Sequence, residues 1–161
     1  MDTKKLTKMA FLIALSVIGS YITIFMSVAL DSLPGFFAAL ALGAGAGGIV
    51  GALGHFMTAL VHGFPLGLPT HFLLMAMMYL ACYFLGYFYK KSPLLALAGS
   101  LFINWILALV MSSLLTYFIG VMPGPFSLVP IMLVPLLLGT LFNLLPAYFL
   151  FIVLDKRYEL S

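Results

Sequence analysis

The sequence predicts an all-α, polytopic membrane protein of six transmembrane helices in one domain, residues 1–161. Three observations carry that prediction: charge is nearly absent, the little there is falls in clusters, and Gly- and Pro-rich breaks cut the apolar chain into helix-sized pieces. Of 161 residues, 65% are hydrophobic and 7% charged, against about 25% charged in soluble domains. A soluble fold of this length must present much of its surface to water, and this chain lacks the polar residues to do so. Its outer surface is therefore expected to face lipid. The length suits a single domain, and no internal repeat, low-complexity tail or soluble domain is visible.

The charges set the topology. The basic residues form three clusters: Lys4, Lys5 and Lys8; Lys90 and Lys91; Lys156 and Arg157. No Asp, Glu, Lys or Arg interrupts Met9–Leu30, Ser32–Tyr89 or Ser92–Leu154. Basic residues of short loops stay on the cytoplasmic side, so all three clusters and both termini are expected inside. The number of spans between clusters must then be even. A formal net charge of +3 is accordingly a topology signal, and no nucleic-acid partner is expected.

The elements follow in order. Helix 1 is expected over Thr3–Met26 and closes at Asp31-Ser-Leu-Pro34-Gly35. Helix 2, Pro34–Leu42, is too short for a full span, since ten residues rise only about 15 Å against a hydrocarbon core of about 30 Å. The stretch Gly43-Ala-Gly-Ala-Gly-Gly48 separates it from helix 3, Gly45–His62. Gly63-Phe-Pro65-Leu-Gly67-Leu-Pro69 leads to helix 4, Thr70–Tyr89. Helices 5, Pro93–Ile119, and 6, Leu128–Asp155, flank Gly120-Val-Met-Pro123-Gly-Pro125. Gly and Pro at these breaks end helices or turn the chain. A cleaved signal peptide is not expected, because the first apolar run is long for one and no A-x-A-like site closes it. The lone Cys82 excludes an intrachain disulfide and reads as a small buried or lipid-facing hydrophobe.

Polar groups are expensive inside a bilayer and are therefore candidates for function. Asp31 is the only acid away from the chain ends. It has two compatible readings, a cap on helix 2 and a direct ligand contact. His62 and His71 flank the Gly63–Pro69 loop, with His55 about two turns below. Each histidine reads either as an interhelical hydrogen-bonder or as a ligand contact. His55 and His62 share a face, but no i, i+3 or i, i+4 pair or cysteine supports a metal site, and none is expected. Asn104 and Asn143, in the middle of helices 5 and 6, read as helix glue or as substrate contacts. Phe36, Phe37, Phe56, Phe64, Phe72 and Tyr79 are candidates to wall a pocket for a small planar solute, or else ordinary packing. Gly43, Gly47 and Gly51, spaced by four, suit close helix packing. No nucleophile–base pair suggests catalysis, no cofactor is implied, and no G-x-x-x-x-G-K-[ST] phosphate loop occurs.

The start Lys-Lys-Leu-Thr-Lys-Met-Ala-Phe-Leu-Ile-Ala, the six helices and the compact size resemble the S components of energy-coupling factor (ECF) transporters along essentially the whole chain. The resemblance implies a multi-pass protein of the bacterial cell membrane that captures a vitamin or its precursor from outside. It implies association with a transmembrane coupling protein and two ATPase subunits. It also implies that Ala10 and Ala14, matching the family's Ala-x-x-x-Ala pattern on helix 1, contact that coupling protein. The stretches Asp31-Ser-Leu-Pro-Gly-Phe-Phe-Ala-Ala and Gly63-Phe-Pro-Leu-Gly-Leu-Pro-Thr-His71 are similar to the α-ribazole branch, whose cargo is a nucleoside of dimethylbenzimidazole used to build cobalamin. On that reading Asp31 receives ribose hydroxyls, His71 or His55 bonds a ring nitrogen or hydroxyl, and aromatic residues stack on the heterocycle. An S component for cobalamin or another vitamin, and a structural membrane scaffold of the MreD type, are the alternatives.

Overall fold

The computed structural model describes the backbone of residues 2–25 and 28–158 and the side chains of 2–22 and 29–157. Within these residues the chain forms six helices and one short hairpin. They are α1 (Thr3–Ser20), the antiparallel strands β1 (Thr23–Phe25) and β2 (Val28–Ala29), α2 (Leu33–Leu42), α3 (Ala44–His62), α4 (Leu68–Phe88), α5 (Pro93–Phe118) and α6 (Val129–Tyr158). Four of the helices, α3 to α6, have the length and hydropathy to cross a bilayer.

The second helix is as short as its sequence bounds implied, and the first departs from the full span expected of it. The helix expected over Thr3–Met26 stops at Ser20, and Met26 itself lies outside the described residues. The reason is local. Ile22, Thr23 and Ile24 form a β-branched run, which loses side-chain freedom in a helix and favours extended backbone. The chain folds back, so that the Leu30 N–H donates to the Ile22 carbonyl at 3.2 Å. The Leu30 carbonyl then lies against Gly19, where any Cβ would collide with it. Beyond its three lysines, α1 keeps only Met9–Ser20 as apolar helix, about 18 Å of rise.

Helix α2 is short because it is interior. Pro34, Gly35, Phe36, Ala38, Ala39 and Leu40 are all buried, and the helix packs against α1, α3, α4 and α6. Glycines allow the approach: a Cβ on Gly51 of α3 would meet the Cys82 sulfur of α4 at 2.7 Å, and one on Gly35 of α2 would meet the Gly51 Cα at 2.7 Å. Gly43, with φ of +91°, makes the turn from α2 into α3. Phe36, Leu85, Leu144 and Phe151 anchor the core that joins α2, α4 and α6.

The same packing gathers the basic clusters at one end of the bundle. Met9 of α1 packs with Ala38, Ala46 and Val50, beside the α2–α3 turn. Ala39 and Ala44, flanking that turn, lie against Gly86 near the end of α4. Tyr89, next to Lys90, contacts the rings of Tyr148 and Phe151 in α6. The α3–α4 loop and the start of α6 lie at the opposite end.

Candidate functional site

A cavity of about 450 Å³ reaches toward that opposite end, where His62, Pro65, Leu66 and Leu128 line it, within the range of small-molecule sites, roughly 300–1,000 Å³. Its polar wall includes Asp31, His55, His71, Asn104 and Asn143, brought together from five segments far apart in sequence. Met78, Met132, Leu74 and Leu136 supply apolar wall.

Asn143 organises one side. Its Oδ1 accepts the Ser32 and Leu33 N–H groups at 3.1 and 2.8 Å, and its Nδ2 donates to the Ala29 and Gly139 carbonyls, each at 2.8 Å. The amide has two donor hydrogens and two acceptor lone pairs, so its bonding capacity is used up on backbone. Asn143 thus caps α2, the task that the sequence offered to Asp31. The Asp31 carboxylate instead takes the Ser32 hydroxyl at 3.2 Å and lines the cavity. Asp31 lies in the connection ahead of α2, outside the spanning helices, and burial pushes its carboxyl from 3.8 up to about 6 against the opposing pull of the Ser32 hydroxyl.

The histidines line the cavity from α3 and α4. The His55 and His71 rings stack at 5.5 Å, with His71 Nδ1 and His55 Nε2 3.4 Å apart. His71 is 8% exposed. Its Nε2 and the Thr58 hydroxyl are buried without a hydrogen-bond partner among the described residues, and both residues line the cavity. Buried polar atoms are almost always paired, so these two are available to bond water or a solute. His62 Nδ1 donates locally to the Thr58 carbonyl, 2.9 Å away, and its ring faces Tyr21 at 5.7 Å.

Asn104 sits in a π-helical turn, Ile103–Leu107, inside α5; such turns recur at functional sites. Its Nδ2 donates to the Thr140 hydroxyl at 3.0 Å, which in turn donates to the Leu136 carbonyl at 2.8 Å. The neighbouring Trp105 ties α5 to α6 through the Leu133 carbonyl at 2.8 Å.

The expected aromatic wall is placed elsewhere. No Phe, Tyr or Trp among the described residues lines the cavity. Phe36 is fully buried in the core and Phe37 packs on it. Tyr79 lies over Gly48 and stacks on Tyr83 at 5.9 Å. Phe64 meets the His71 ring edge-on at 5.5 Å, and Phe56 stacks with Phe72 at 5.7 Å. Thr58, Thr140, Met78 and Met132 were not signalled in advance. Thr58 stands three residues after His55 and four before His62 in α3, a spacing that places it on their face, and that was its one sequence clue. Ala10 and Ala14 are exposed on α1, away from the cavity.

Apolar helices around a solute-sized, hydrogen-bonding cavity make a membrane protein built to handle a small molecule. The family model described as "ECF transporter, substrate-specific component" matches residues 4–155, and the chain belongs to that family. It is therefore a substrate-specific subunit of an ECF transporter, a membrane protein whose family associates with a transmembrane component and ATPases. Comparison with curated proteins and with solved structures gives no match.

Proposed function

We propose that this subunit captures α-ribazole from outside the cell and delivers it for cobalamin synthesis by joining a transmembrane coupling protein and two ATPase subunits. The observation that carries the reading is the convergence of Asp31, His55, His71 and Asn104 on one cavity. Both stretches similar to the α-ribazole branch contribute to it, through Asp31 and Ser32 and through Pro65, Leu66 and His71. Asp31 would receive ribose hydroxyls, and His71 Nε2 with Thr58 would bond polar atoms of the cargo. The heterocycle would lie among the stacked histidines and the Met78 and Met132 thioethers, in place of the aromatic rings that the sequence suggested.

The basic clusters share one end and the cavity reaches toward the other. With the basic end cytoplasmic, both termini are inside and the cavity faces the source of an imported solute. The loops around Asp31–Pro34 and Gly63–Pro69 would close over the cargo, excluding water and strengthening the polar contacts. Calorimetric titration of the purified protein with α-ribazole, cobalamin and common vitamins tests the reading. Saturable binding of α-ribazole above the others is expected. Preference for cobalamin or another vitamin would reassign the cargo, and absence of all binding would favour the scaffold alternative.

A further inference from the structure

The cavity carries a charge rule that its shape alone does not. The chain has seven basic residues, and none lines the cavity. Lys4, Lys5 and Lys8 belong to the start of α1. Lys91 lies over the Tyr87 ring at 4.6 Å beyond the far end of α4, with Lys90 beside it, and Lys156 and Arg157 are in the last turn of α6. The hairpin segment Thr23–Val28 contains no charged residue. Among the described residues Asp31 is thus the one acid on the wall, and His55, His62 and His71 are the remaining titratable groups there. Helix N-termini often bind anions through free N–H groups, but at α2 the Ser32 and Leu33 N–H groups are already held by Asn143.

An anionic group entering this space would lose water, find no cation, and approach a carboxylate. Burying an unpaired charge is heavily penalised, and like charges at short range add to the penalty. We infer that the cavity admits neutral or cationic solutes and rejects phosphorylated or carboxylated ones, taking a nucleoside and refusing its phosphate. The solute's donors pair with Asp31, and its other polar atoms pair with His71 Nε2 and Thr58. The nucleoside form of the inference rests on the cargo reading above; the charge rule rests on the cavity wall alone.

Two measurements on the full-length protein at pH 8, where ordinary histidines are neutral, separate the two. In Met132→Cys, a thiol is placed on the cavity wall, and the parent chain with buried Cys82 gives the background. Cationic and anionic methanethiosulfonates of similar size are compared, each rate divided by its rate with a free thiol. The cationic reagent is expected to react at least about tenfold faster on this scale, with the ratio collapsing in the Met132→Cys/Asp31→Asn double variant. Equal rates, or a faster anionic reagent, would overturn the rule. In the unsubstituted protein, α-ribazole 5′-phosphate is expected to bind at least about a hundredfold more weakly than α-ribazole. Equal affinity overturns the inference while the cargo reading stands. If neither binds but the reagent ratio holds, the cargo reading falls and the charge rule stands.

Discussion

Asp31 shows how a residue can be unfavourable for the fold and still be placed at a site. Its folded pKa of about 6 exceeds the ordinary 3.8, so the folded chain holds that proton more tightly than the unfolded one does. Ionising it therefore costs stability. The cost is absent below about pH 4, grows as pH rises, and is complete above the folded value. Asp31→Asn is expected to melt several degrees higher than the parent at pH 8, with the gap closing toward pH 4, and to bind cargo at least about tenfold more weakly, about 1.4 kcal/mol. Thermal melts across pH and calorimetry read the two effects; a variant no more stable at pH 8 would remove the burial argument. Asp31, His55, His71, Asn104 and Asn143 were legible as candidates because a polar group in a membrane helix demands a reason. Which of them had spare bonding capacity was not. Asn143 spends its amide on backbone, and only the fold shows that Ala29, Ser32 and Leu33 come within its reach. The aromatic residues misled for a related reason: a Phe is as useful inside the α2 core as on a cavity wall, and its type does not say which.

At the scale of the element, breaks made by Gly and Pro were readable and the break made by β-branching was not. The ends of α3 to α6 fall within a few residues of expectation because Gly63, Pro93 and the Gly120–Pro125 stretch punctuate them. The end of α1 has no such marker. The hairpin that follows is held partly by tertiary contact, the Leu30 carbonyl on Gly19, which apolar content alone does not reveal. The π-helical turn at Asn104 was equally silent in sequence. The four-residue glycine spacing did point to close packing, and Gly51 supplies it between α2 and α4. Gly51→Val would press against the Cys82 sulfur and the Met78 carbonyl of α4, and overpacking of this kind costs about 1–3 kcal/mol. A lowered melting temperature in detergent is expected, whereas a neutral result would mean that α4 can shift to make room.

For the whole molecule, the half-length α1 and α2 change the basis of the topology argument. They leave the basic end and return to it, so they add either two crossings or none, and both numbers are even. The parity drawn from the lysine clusters survives the shortness of both helices. The exposed Ala10 and Ala14 lie on α1, apart from the cavity. Ala10→Trp is expected to abolish assembly with the coupling protein and ATPases in a co-purification assay while solute affinity stays unchanged. Intact assembly would move the partner surface off this part of α1.

The Asn143 amide ties Ala29, Ser32, Leu33 and Gly139 into a single knot. A knot of this kind does not loosen strand by strand, because losing any one bond exposes the others to rearrangement. The Ser32 and Leu33 amide hydrogens should therefore exchange with deuterated water at one common rate, in a single concerted opening event. Bound cargo resting on Asp31 should slow that rate for both together. Two separate rates would show that the segment ahead of α2 frays and that Asn143 holds it only in part.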